Sequence, residues 1–241
     1  MLAAGLLFAS AAHAAELTAE EILQKADEVR NPQQLDYTVT VAASSYRKAK
    51  PAQVSVYQVM VKGRDKTLIR TLSPANEKGR LLLMSGNDLW AYLPTVSKPL
   101  RISLQERLTG EVANGDLART NFSGDYTPRL LRLEQIDGVS YHVIELIAKT
   151  KDVTYARVVL WVDQIEFRPH HAEFYAISGR LLKTCLYEGY RKFGERLRPT
   201  RLTLRDAVSK DRYSVLDYKD IKIGPLPDKY FTKDYMKKLM E

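Results

Sequence analysis

A chain of 241 residues that is 45% apolar and 27% charged can bury a substantial core and is too apolar to be disordered. Its formal net charge of +8 suits an acidic partner or anionic lipid headgroups, but no compact polybasic patch with interleaved aromatics argues for nucleic acid. A single cysteine, Cys185, excludes an internal disulfide or a cysteine-rich metal site, and its expected place is buried on a strand.

The first fourteen residues, MLAAGLLFASAAHA, are small and apolar and end in Ala12-His13-Ala14, an A-x-A pattern. They read as a signal peptide cleaved after Ala14, too short to span a membrane, followed by one domain over residues 15–241. No cysteine follows the cleavage point, so the expectation is a soluble periplasmic protein without a lipid anchor. A helix comes next. Thr18 and Glu21 form a capping box, Ile22, Leu23, Ala26 and Val29 share a face, Glu20, Gln24, Asp27 and Glu28 point elsewhere, and Asn31-Pro32 ends the element.

From Asp36 the apolar period changes to two. Tyr37, Val39 and Val41, then Val54, Val56 and Met60, then Leu68 and Leu72 read as long antiparallel strands, with a turn at Lys62-Gly63-Arg64-Asp65 and Pro51 in the loop between the first two. Leu81–Met84 turns at Ser85-Gly86-Asn87-Asp88 and returns as Leu89–Leu93, a hairpin that stops at Pro94. After a short strand at Leu100–Ser103 the period becomes helical: Ser103 and Glu106 form a second capping box, Leu104 and Leu108 lie one turn apart, and Gly110 stands where a C-terminal cap belongs. A further helical turn is expected from Asn114 or Asp116, carrying Leu117 towards Phe122.

Strands resume at Leu130–Gln135, Tyr141–Ala148, Tyr155–Asp163, His170–Ala176, Arg180–Tyr187, Pro199–Ala207 and Arg212–Asp220. In the third of these, Val159 and Trp161 take one face and Val158, Leu160 and Val162 the other. The charges of Arg129–Glu134 and Arg196–Arg205 are interleaved with apolar residues and read as a solvated outer sheet face. After Gly224-Pro225-Leu226-Pro227, Thr232 caps a short helix reaching about Met240. About 10–12 strands in hairpin order are too many for a flat open sheet. The predicted fold is mainly β (α+β), a strongly curved antiparallel sheet forming an incomplete barrel, covered by the N-terminal helix and short lid helices.

No nucleophile elbow, P-loop, G-x-G-x-x-G or H-E-x-x-H occurs. Adjacent strand residues point to opposite faces, so His170 and His171 should not share a metal. Asp88, Asp137, Asp152 and Asp211 fit turns better than catalysis. No enzyme, metal or cofactor is expected.

What remains is an apolar surplus, which either fills a small barrel or lines an apolar cavity suited to a lipid. The nominated cavity residues are Leu83, Trp90, Tyr92, Phe122, Leu146, Leu160, Trp161 and Phe174, and the nominated lid residues are Ile22, Leu23, Ala26, Leu104, Leu108 and Leu117. Alternation allows either Trp90 and Tyr92 or Leu89, Ala91 and Leu93 to face the cavity, but not both sets.

Six stretches, EEILQKADEVRNP, LLMSGNDLWAYLPTVSKPLRIS, GDLARTNFSGDY, VVLWVDQ, EFYAISGRLLK and LPDKYFT, in this order, resemble the LolA-like family of outer-membrane lipoprotein-sorting proteins. The resemblance covers essentially the whole chain after the leader. It implies an incomplete β-barrel that shields acyl chains of a lipoprotein or other acylated lipid during periplasmic transit, with an inner-membrane transporter as donor, an outer-membrane acceptor and a monomeric carrier. The alternatives are a non-transporting lipid-binding sensor or accessory module of a membrane lipid exporter, and, more remotely, a cofactor-free enzyme using the same cavity.

Overall fold

The computed structural model describes residues 17–32, 35–96, 98–119, 121–194 and 196–239. The leader expected at 1–14 lies outside them. Helix α1 (Ala19–Arg30) has both capping-box bonds, Thr18 N to Glu21 at 2.8 Å and Glu21 N to Thr18 Oγ1 at 3.3 Å, and Asn31 is its C-cap. Six strands follow: β1 (Tyr37–Arg47), β2 (Lys50–Lys62), β3 (Lys66–Ser73), β4 (Leu81–Ser85), β5 (Asp88–Tyr92) and β6 (Leu100–Ile102). A small hairpin, β7 (Arg107–Thr109) and β8 (Val112–Ala113), runs into α2 (Asn114–Ala118). The second half holds β9 (Tyr126–Ile136), β10 (Val139–Ala148), β11 (Arg157–Asp163), β12 (Pro169–Tyr175) and β13 (Leu181–Glu188). A second small hairpin, β14 (Arg191–Phe193) and β15 (Arg196–Arg198), precedes β16 (Arg201–Asp206), β17 (Tyr213–Ile223), a 3-10 turn at Asp228–Phe231 and α3 (Lys233–Lys238).

Thirteen strands form one antiparallel sheet in the order β6-β5-β4-β3-β2-β1-β17-β16-β13-β12-β11-β10-β9. Among the described residues β6 and β9 do not pair with each other, so the barrel is incomplete, as expected. β1 pairs with β17, Tyr37 opposite Ile223 and Tyr46 opposite Tyr213, so the first and last strands meet in the middle of the sheet. Sequential hairpins spread from that seam on both sides.

Alternation along each strand sorts the apolar residues onto two faces. The inner face carries the main core: Val39 and Val41 of β1, Tyr57 and Val59 of β2, Leu82 of β4, Ile144 and Leu146 of β10, and Val158, Leu160 and Val162 of β11, packed against Ile22, Leu23 and Ala26 of α1 and against Leu104, Leu108 and Leu117. All six nominated lid residues are buried in this core. Burying each such side chain contributes about 1.5–3 kcal/mol.

The outer face has two separate patches. On one wing Leu68, Leu81, Leu83 and Tyr92 lie beneath Phe231 and Met236, so the C-terminal segment is a strap across the back of the sheet. On the other wing Tyr141, Val143, Val159 and Trp161 pack together.

Five local expectations are corrected. The Ser103–Glu106 pair makes its bonds, Ser103 N to Glu106 at 3.1 Å and Gln105 N to Ser103 Oγ at 3.1 Å, but they close a turn that feeds β7 instead of a helix. Gly110 is therefore the left-handed hairpin residue (φ +50°), where an added Cβ would sit 2.0 Å from Ser45 Oγ. Pro51 lies inside β2 at its exposed end, the turn being Lys48-Ala49, with Ala49 at φ 54°. His170 and His171 do not face apart: a bulge between Trp161 and Val162 of β11 and their β12 partners skips His170. His170 then packs on Tyr141 and His171 stacks on Trp161 at 3.9 Å, both in the outer patch. Finally, the Arg196–Arg205 stretch is not uniformly solvated, because Arg198 is buried among the rings of Tyr37, Phe193 and Tyr218.

Candidate functional site under the lid

The site lies between the inner face of β10–β13 and β16 and the cover formed by residues 103–126. Two buried carboxylates fasten this cover. The first is Asp27. Contrary to its expected place off the packed face, Asp27 is fully buried: the apolar stripe of α1 continues through it, since Leu23 to Asp27 and Ala26 to Arg30 are both four-residue steps. Its carboxylate accepts from the backbone N–H of Phe122 at 2.8 Å and of Ser123 at 2.6 Å, and from Arg30 Nη1 at 3.1 Å. Burial pushes the carboxyl above the ordinary aspartate range, opposed by Arg30 and the two N–H groups. The Arg30 guanidinium lies 3.8 Å from the Phe122 ring centroid. Asp27 therefore ties helix α1 to the end of the cover.

The second carboxylate is Asp116 of α2. It accepts from Tyr155 Oη at 2.5 Å, from the Ala113 N–H at 2.7 Å, and from Lys183 Nζ. Lys183 also donates to the Glu111 carbonyl at 2.7 Å. The Asp116 and Lys183 side chains are 8% and 7% exposed. Lys183 is held on the inner face because Lys183, Cys185 and Tyr187 alternate inward along β13. Tyr155 is driven well above the usual phenol range, first by burial and then by Asp116. Cys185 is pushed up to about 12, again mainly by burial. This thiol is a packed side chain, not a nucleophile.

Between cover and floor a cavity of about 30 Å³ remains, with Arg30, Asn121, Phe122, Phe174, Cys185 and Leu204 in its walls. That is room for about one water. Outside the same segment lies an open surface pocket of about 640 Å³, whose walls include Arg64, Arg119, Asn121 and Asp125. Arg119 and Asp125 form an ion pair at this boundary, and Arg64 donates to the Ser123 carbonyl. A larger groove of about 890 Å³ runs beside α1, its walls mixing Glu20, Lys25, Glu28 and Arg168 with Val29, Phe167 and Leu197. No group of three or more metal-ligating side chains occurs among the described residues.

The nominated cavity residues split between faces. Phe122, Leu146, Leu160 and Phe174 share the inner face. Leu83, Trp90 and Tyr92 do not; they lie on the outer face beneath the C-terminal strap, with Lys233 over the Trp90 ring. Trp161 is also outside, under His171. The strand register is the physical reason: Leu89 and Ala91, not Trp90 and Tyr92, point inward from β5. The polar groups Asp27, Arg30, Asp116, Asn121 and Lys183 were absent from the nominated set. Helical spacing after Leu23 and Ala26, and strand spacing around Cys185, were the signals for three of them.

A family model described as "Uncharacterized protein" matches residues 63–238. The chain is similar to a LolA superfamily protein from Nitrosomonas europaea of known crystal structure, at 50% identity over 91% of this chain and 100% of that one, with a TM-score of 0.87. Two further structures share the fold. One is a domain from Vibrio parahaemolyticus designated an outer membrane lipoprotein-sorting protein, at 24% identity, 91% and 98% coverage and a TM-score of 0.78. The other is a DUF1329 family protein from Desulfovibrio piger, at 23% identity, 90% and 97% coverage and a TM-score of 0.79. No curated protein matches the chain in sequence.

Proposed function

The chain belongs to the LolA superfamily, and from that premise we propose that it is a periplasmic carrier that shelters acyl chains of a lipoprotein or other lipid between its half-barrel and its lid. The observation that carries this reading is the construction of the cover. An apolar inner face is closed by a segment whose fastening depends on two buried carboxylates, Asp27 and Asp116, while the sheet beneath has its own continuous hydrogen bonding. Such a cover can lift without unravelling the strands.

Energetics favour uptake. Each buried methylene contributes about 0.8 kcal/mol, so a sixteen-carbon chain supplies roughly 12 kcal/mol before ordering costs. Opening exchanges the cover's own contacts, including Phe122 and Leu117, for contacts with the chain. The closed cavity of about 30 Å³ then corresponds to the unloaded carrier, with cargo replacing the cover's apolar side chains on the floor of Phe174, Cys185 and Leu204. In this reading a signal peptide directs export and is cleaved after Ala14, an inner-membrane transporter loads the carrier and an outer-membrane acceptor unloads it.

The test is native mass spectrometry of the protein purified from envelope, followed by delipidation and titration with an environment-sensitive acyl probe. Co-purified lipid and saturable probe uptake with loss of lid protection are expected. A delipidated protein that takes up no probe rejects the carrier reading. A stable complex with one membrane protein, without exchange of lipid between vesicles, would favour an accessory module instead.

A further inference from the structure

Asn121 is 5% exposed, and among the described residues neither its Nδ2 nor its Oδ1 has a hydrogen-bond partner. It lines both the small interior cavity and the open surface pocket, so it stands in the wall between them. A buried primary amide with both halves unpaired is costly to keep. The carboxylates around it are already served: Asp116 has three donors, Asp125 is paired with Arg119, and Asp27 has three. Arg30, on the same cavity, has one hydrogen bond among the described residues, from Nη1 to Asp27. The cavity therefore holds an amide with both halves unpaired, a guanidinium on the same wall, and little space.

We infer that Asn121 and Arg30 form a head-group site for the carboxyl group of a long-chain fatty acid. This rests on the carrier reading of the same chamber and narrows its ligand class. A carboxylate is the compact head that suits this wall: its oxygens accept from Nδ2 and from the Arg30 guanidinium, and when protonated its O–H can also donate to Oδ1. With the head there, the chain runs over Phe174, Cys185 and Leu204, displacing the cover. The wall position of Asn121 sets the polarity: the ligand comes in from the surface pocket by parting Arg119 from Asp125, and its head stays near that mouth.

The test compares cis-parinaric acid with its methyl ester on the delipidated full chain at pH 7.5, by fluorescence titration. The acid is expected to bind at least tenfold more tightly than the ester. Asn121→Leu is expected to bring the two within twofold of each other, and Asn121→Asp to weaken the acid more than the ester. Equal binding of acid and ester by the unaltered protein overturns the head-group site and leaves the carrier reading standing. Uptake of neither probe overturns both. If Asn121→Leu does not fold, judged by far-ultraviolet circular dichroism, the acid-to-ester ratio of the unaltered protein and of Asn121→Asp decides.

Discussion

Replacing Lys183 by methionine isolates the energetics of the lid. Methionine keeps an unbranched stem against the Tyr155 and Phe174 rings, which lie 5.2 and 5.9 Å from Lys183 Nζ, and removes only the ammonium. Asp116 is then left with Tyr155 Oη and the Ala113 N–H, and the Glu111 carbonyl loses its donor. With both partners under one tenth exposed, breaking the pair from one side costs about 3–5 kcal/mol. Asp116 and Glu111 belong to the cover and Lys183 to the sheet, so the cost falls first on docking of the cover. Hydrogen exchange measured by mass spectrometry should therefore accelerate across residues 104–118 by roughly 10²- to 4 × 10³-fold, with β10 and β11 much less affected. The Lys183→Met/Asp116→Asn double variant should recover much of the loss, since the uncompensated buried charge is gone. Protection of residues 104–118 within tenfold of the unaltered protein would refute the latch, and equal acceleration throughout the sheet would refute a separable lid.

Three further outcomes are expected. Cys185, with a pKa pushed up by burial to about 12, should react with DTNB at pH 8 at least a hundredfold more slowly than a free thiol and faster in Lys183→Met; rapid labelling of the unaltered protein would contradict the closed chamber. Gly110→Ala should lower the urea midpoint sharply, because the residue sits at φ +50° and the new Cβ would fall 2.0 and 2.3 Å from the Ser45 and Ser214 hydroxyl oxygens, whereas Gly63→Ala, with open space around it, should lose only the cost of its positive φ. Hydrogen bonds from Lys66 and then Lys62 hold Asp228 below the usual aspartate range, so the contribution of these pairs to docking the C-terminal strap is present above the unfolded value of about 3.9 and is lost as pH falls through the lower folded value. In a Trp161→Phe background, Trp90 fluorescence should report that loosening on acidification, and an unchanged Trp90 signal down to acid unfolding would count against it.

Legibility followed the regularity of the local signal. Period-two alternation marked the main strands, and in β11 it also separated Val159 and Trp161 from Val158, Leu160 and Val162. It could not say which set faces in for β5, because Trp90 and Tyr92 are apolar enough for either side; a strap of about ten residues from the far end of the chain decided it. The β14–β15 hairpin escaped notice because RKFGERLR shows no clean alternation, yet it delivers Arg198 and Phe193 to the interior beside Tyr37. The bulge at His170 has no sequence signature of its own. Asp27, Asp116 and Lys183 resembled surface charges because each is balanced by a partner distant in sequence: Asp27 lies 95 residues before Phe122, and Asp116 lies 67 before Lys183.

The seam where β1 meets β17 governs how the molecule is assembled. Each wing can zip locally from its own hairpins, but the two cannot join until Tyr213–Ile223 pairs with β1, about 170 residues away in sequence. Until that strand has paired, β1 keeps one edge unsatisfied, and pairing across the full contour is slow compared with hairpin closure. Truncation before residue 213 would expose the inner edges of both wings, a template for aggregation. Joining of the two wings thus waits on a single long-range pairing, and before it forms each wing is an independent stack of hairpins.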